Sequence, residues 1–189
     1  MTQSTQSRYD NNLSQWLNIL SLLGISAVLI IAFYYQFALF ELPCPLCLLQ
    51  RVGMIMIGMG FMFNVGFGVR GAHYGIALIG CVITGVIAAR QMFLHIMPGD
   101  LGYGSTFLGL HFYTWALIFS ILAIVGISVM LMLSRNDIAI ESQAGDFFWG
   151  KIAIVLFSLL ITANLVSTIL ECGSGQCVDN PTFYQLFEQ

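Results

Sequence analysis

Five cysteines stand in this 189-residue chain, and four of them form two close pairs, Cys44 with Cys47 and Cys172 with Cys177. Closely spaced thiols can trade electrons as dithiol and disulfide, because a thiolate attacks a sulfur–sulfur bond through a mixed disulfide. The first pair lies in Pro43-Cys44-Pro45-Leu46-Cys47, where Pro45 suits the first turn of a helix. A helix N-terminus favours a thiolate on either sulfur, which makes the pair a better leaving group and a stronger oxidant. A structural disulfide, an inert pair at the edge of a helix, and zinc held by all four cysteines are the alternatives, and spacing alone leaves them open. The second pair brackets Gly-Ser-Gly-Gln, a loop flexible enough to bring its sulfurs together and expose them to a partner thiolate. Its plain alternative is a clip on the C-terminal tail.

Other residues gather around these sulfurs. Arg51 follows Cys47 by four positions and so shares its helix face. It either snorkels to lipid phosphate or polarises an electron acceptor and favours the Cys47 thiolate. Arg90 and Gln91 end the third apolar run, as anchors or as a second cation beside the acceptor. His95 and His111 flank the loop that follows, as proton carriers or as interfacial residues. Cys81, between Gly80 and Val82, reads as a packing residue.

The elements that hold these residues are membrane helices. Charged residues are only 8% of the chain and hydrophobic ones 58%, with mean hydropathy +0.88; a soluble domain carries about 25% charged residues. Such a chain must take lipid as part of its solvent. The net charge of −3 leaves no basic surface for nucleic acid. Five runs are long enough to span, at about 16–40, 46–69, 72–90, 110–133 and 152–170, with a glycine-containing loop at 91–109 and a tail at 171–189. They read as one polytopic membrane domain over 1–189. No signal-peptide cleavage site follows the first run, which reads as a retained helix. Arg8, Arg70, Arg135 and Lys151 fall on one side and Arg51 and Arg90 on the other, which puts the N-terminus in the cytoplasm by the positive-inside rule. Both cysteine pairs and the 91–109 loop then share the outer side, where disulfides persist.

The segment Pro43-Cys44-Pro45-Leu46-Cys47-Leu48-Leu49-Gln50-Arg51 resembles the DsbB family of bacterial inner-membrane disulfide bond formation proteins. The likeness in arrangement extends over about 16–133, through the short turn after the second helix and Arg90-Gln91 at the end of the third. It implies an all-α membrane protein, a four-helix transmembrane bundle of DsbB type, here with a fifth transmembrane helix. It also implies a protein-dithiol:quinone oxidoreductase that reoxidises a periplasmic DsbA-like thioredoxin-fold protein and reduces ubiquinone or menaquinone. Carried over, Cys44 and Cys47 are the disulfide near the quinone, with Cys47 next to the ring and Arg51 close by; Arg90 is a weaker transfer, and no metal belongs to the site. The implied place is the bacterial inner membrane, with the N-terminus cytoplasmic and the C-terminus periplasmic.

One departure is large, because the loop at 91–109 lacks the second cysteine pair of simple family members. Cys172 and Cys177, after the added helix, are expected to take the partner-facing role, which requires the tail to lie over that loop. Two rival readings are a quinone reductase resembling vitamin K epoxide reductase and a non-catalytic membrane protein with structural disulfides. Against the first stands the position of the CxxC before the second helix; against a transporter subunit, the few intramembrane charges give no obvious ion path.

Overall fold

The computed structural model describes residues 2–133, 148–173, 175–179 and 181–187, with the backbone alone at 2–12, 133 and 187. Arg135, counted above for orientation, and the 134–147 connection lie outside the described residues. The elements are helices α1 (Thr2–Ala38), α2 (Pro45–Phe67) and α3 (Gly71–Leu94), strands β1 (Thr106–Phe107) and β2 (Leu110–His111), then helices α4 (Phe112–Leu133) and α5 (Phe148–Cys172). A 3-10 turn at Gln185–Phe187 follows. Each of the five helices contains a stretch long and apolar enough to cross a membrane, so this is an all-α multi-pass membrane protein.

Lipid offers no hydrophobic drive between helices, so their contact depends on close packing and on polar groups that bond one another. The largest interface is α2 against α3, and small residues make it possible. A Cβ on Gly80 would stand 2.7 Å from the backbone nitrogen of Ile57, and one on Gly60 would stand 2.5 Å from the carbonyl oxygen of His73. At the α2–α3 turn, the Asn64 amide donates to the Asn18 carbonyl oxygen (2.9 Å), and the Asn18 amide donates to the Tyr74 hydroxyl (2.8 Å). The Arg70 backbone N–H caps onto Asn64 Oδ1 at 3.0 Å. This polar knot ties α1, α2 and α3 together at the end of the bundle away from the cysteine pairs.

The fourth and fifth helices attach on different sides. Helix α4 packs on α3, whereas α5 packs on α1 and α2. Phe157 of α5, fully buried, enters the notch left by Gly58 of α2, where a Cβ would come within 2.2 Å of the ring. At the cysteine end the tail meets α1, where the Gln36 amide donates to the Tyr184 hydroxyl.

Boundaries differ from the expectation in one way that matters. The third helix does not stop at Arg90 but continues to Leu94, because Gln91 on its inner face is drawn into the core at 1% exposure. The loop that follows is shorter than 91–109 and ends in a two-stranded antiparallel hairpin, with Thr106 opposite His111.

Candidate redox site

At the cysteine end, α1 unwinds at Ala38 and the chain turns through Pro43 into α2. Cys44 is the N-cap of that helix, and its sulfur accepts the Cys47 backbone N–H at 3.2 Å. A free N–H of the first helical turn is thus aimed at sulfur, as the sequence predicted for a helix start. Cys44 is buried and Cys47 half-buried, both as thiols. The thiol of Cys44 is pushed well above its usual range, first by its side-chain hydrogen bond with Cys47 and then by burial. Cys44 therefore keeps its proton and acts as the donor within the pair.

A residue that the sequence singled out only as a helix end completes the pair. The Gln91 amide nitrogen lies 3.3 Å from the Cys44 sulfur and 3.6 Å from the Cys47 sulfur. Gln50, on α2, donates to the Gln91 carbonyl oxygen at 2.7 Å, which turns the amide NH2 toward the sulfurs. Its neighbour Arg90 is exposed on an open apolar groove formed with Val86, Ala89, Phe93 and Leu94. Successive residues on a helix point about 100° apart, so only one of Arg90 and Gln91 can face the sulfurs.

Arg51 is buried at 9% exposure, one turn below Cys47. It donates to the Gln36 side-chain oxygen (2.7 Å) and the Ala32 carbonyl (3.2 Å) of α1, and its guanidinium lies 5.5 Å from the centre of the Phe33 ring. Gln36 passes the connection to the C-terminal part, donating to the Ser167 hydroxyl of α5 at 2.7 Å and to the Tyr184 hydroxyl at 3.3 Å. Glu171, at the end of α5 and 3% exposed, lies within electrostatic reach of Arg51 and Cys47. The disulfide Cys172–Cys177 follows it directly. Both cysteine pairs thus sit at one end of the bundle, where the hydrogen bonds of Arg51, Gln36 and Ser167 tie α2, α1 and α5 together.

The α3–α4 loop covers the mouth of α2. Tyr103 donates to the Leu42 carbonyl at 2.7 Å, and burial pushes its hydroxyl well above the usual range, which keeps it a donor. Ser105 gives its hydroxyl and its backbone N–H to the Glu41 carboxylate. His95 pairs with Asp100 at 3.1 Å, and both His95 and His111 stack on Tyr113. Among the described residues, neither histidine bonds a cysteine. Cys81 is fully buried among core side chains, and no cluster of metal-ligating residues occurs among the described residues.

Residues 14–103, the part that contributes the CxxC, Arg51, Gln91 and Tyr103, match the model of the family Disulfide bond formation protein DsbB. Over that segment this chain is similar to the DsbB family. It is 35% identical to Disulfide bond formation protein B of Marinobacter nauticus over 46% of this chain and 54% of that protein. The protein of that name in Xanthomonas campestris pv. campestris is 34% identical over 44% of this chain and 51% of its own length. For the one in Chromobacterium violaceum the values are 29%, 48% and 60%. The chain spans about half the length of the curated relatives it matches. No solved structure matches it. The likeness stops before α4, so α5, Glu171 and the Cys172–Cys177 pair lie outside the DsbB-matching segment.

Proposed function

We propose that this chain is a protein-dithiol:quinone oxidoreductase of a bacterial inner membrane, with its cysteine end facing the periplasm. The observation that carries this reading is the buried Arg51 one turn from a CxxC whose two sulfurs share the Gln91 amide, within a segment that matches a disulfide bond formation family. A structural disulfide needs no buried cation beside it.

The residues fit a lipid-borne quinone. Cys47 is the less buried residue of its pair, Leu49 and Val52 of the same helix are exposed apolar residues, and Arg51 supplies positive charge where an acceptor oxygen gains electrons. Ubiquinone or menaquinone, when bound, takes up two electrons and two protons. The protein's part is thiol exchange. A thiolate of a DsbA-like thioredoxin-fold partner attacks Cys172–Cys177, and the partner leaves oxidised with the tail pair reduced. The tail dithiol next reduces the Cys44–Cys47 disulfide and becomes a disulfide again. Reduced Cys44 and Cys47 give their two electrons to the acceptor and re-form their bond. Each step moves one electron pair and is driven by the potential of the next couple, about 30 mV per tenfold in equilibrium.

Purified protein with a quinone and a reduced thioredoxin-fold dithiol protein tests the proposal through the quinone absorbance. Cys47→Ser is expected to abolish quinone reduction by any thiol. Cys172→Ser with Cys177→Ser is expected to abolish reduction driven by the protein dithiol and to spare that driven by dithiothreitol. Full protein-driven activity in the tail variant would remove Cys172 and Cys177 from the relay.

A further inference from the structure

Glu171 is a carboxylic acid inside a membrane-spanning helix, 3% exposed, and its Oε2 has no hydrogen-bond partner among the described residues. Burying an ionisable group in this way is costly and marks sites of function. The groups within electrostatic reach of it are Arg51 and Cys47 from α2 and Tyr103 from the α3–α4 loop; Arg51 in turn has Cys44 at the cap of its helix and Tyr184 of the tail within reach, and α1 contributes the neutral Gln36 that bonds it. Two potential anions, Cys47 and Glu171, thus surround one buried cation. A second buried negative charge would have no counter-ion, so Arg51 supports one of them at a time.

Hydrogen bonding decides which one. The Cys47 sulfur has the Gln91 amide, the Cys44 thiol and the helix N-terminus around it, whereas Glu171 Oε2 has no donor. Charge therefore sits on Cys47 when the pair is reduced, and Glu171 is then the neutral acid. Oxidation removes the thiolate, and the carboxylate becomes the partner of Arg51.

Resting on the function proposed above, we propose that Glu171 is the proton-exchanging acid of the Cys44–Cys47 pair, protonated while the pair is reduced and ionised once the disulfide forms. The step balances. Cys44–SH, the Cys47 thiolate and the Glu171 acid give two electrons and two protons to a quinone and leave the Cys44–Cys47 disulfide and the Glu171 carboxylate, with one negative charge on each side. When a dithiol reduces that disulfide again, it releases two protons: one returns to Cys44 and the other to Glu171.

A redox-difference infrared spectrum of the full chain in lipid, with Cys172 and Cys177 replaced by serine so that only one pair responds, reads this without quinone turnover. Reduction by dithiothreitol is expected to raise a carboxylic-acid carbonyl band that Glu171→Gln removes and Glu171→Asp retains. Cys44→Ser with Cys47→Ser is expected to abolish it as well. A spectrum without that band, or one unchanged in Glu171→Gln, overturns the proposal. In quinone-coupled turnover, Glu171→Gln is expected to slow the rate by about 100-fold, the scale of a lost general acid, with partial rescue by Glu171→Asp. Unchanged turnover and pH profile in Glu171→Gln also overturn it. A band without any quinone reduction by the unsubstituted protein leaves Glu171 as the proton partner and refutes the quinone reading instead.

Discussion

Gln91 is the side chain on which the character of the CxxC most depends, since it touches both sulfurs and is itself held by Gln50. A hydrogen bond to a charged sulfur contributes about 1.5–3 kcal/mol. Gln91→Ala is therefore expected to slow alkylation of Cys47 by at least about tenfold at neutral pH, as timed by mass spectrometry. Alkylation at the unsubstituted rate would mean the amide does not support the thiolate. Cys44 should behave oppositely to an ordinary thiol: with its proton held by Cys47 and by burial, it should stay unmodified near pH 8.5, where a free cysteine is about half ionised. Of these residues, Cys44, Cys47 and Arg51 were legible in the sequence because sulfur at close spacing and a cation in an apolar run each carry a chemical signature. Gln91, Gln36 and Glu171 were not. A neutral amide is unremarkable at a helix end, and Glu171 read as a mere boundary of the fifth run. Their roles arise from convergence of α1, α3 and α5 on one point, which spacing along the chain does not encode.

Among the elements, the helices themselves were visible as uncharged runs, but which neighbours each would choose was not. The choice depends on notches. Gly58 admits Phe157 and so seats α5 on α2. Gly58→Val is expected to dislodge α5, with loss of protein-driven quinone reduction and retention of dithiothreitol-driven reduction; equal loss of both would place the damage in the α2–α3 core instead. Overpacking at the α2–α3 contact should act on stability, with Gly80→Val lowering it by about 1–3 kcal/mol in a detergent unfolding series. The α3–α4 loop has its own electrostatics. The Asp100 carboxylate accepts the Gly102 backbone N–H at 2.8 Å, and this bond, with His95, holds its pKa below the ordinary value of 3.8. A depressed carboxylate stabilises the fold above its unfolded pKa and loses that contribution as pH falls through the folded value. The Gly102 amide signal should therefore stay constant through neutral pH and shift only in acid, below 3.8. A shift near neutrality would show that Asp100 is not its acceptor. The hairpin in this loop escaped the sequence reading because two-residue strands are too short to show alternation.

For the whole molecule, the arrangement is two sulfur pairs at one end of a five-helix membrane bundle, with Gln36, Arg51 and Glu171 at that end and the polar knot of Asn18, Asn64 and Tyr74 at the other. Electrons would enter at a flexible tail and leave at the lipid boundary, while the core of α1 to α3 keeps the CxxC and its cation in register. Under the proposed relay, that division lets a DsbB-like segment without loop cysteines keep a redox CxxC, because α5 brings a second pair to the same end. The most direct test is a single turnover. Fully reduced protein in lipid, mixed anaerobically with one equivalent of quinone, should form the Cys44–Cys47 disulfide and quinol in equal amounts, read by thiol trapping and quinone absorbance. Quinone left oxidised, with Cys44 and Cys47 still fully alkylatable, would contradict the assignment of this site as the electron exit.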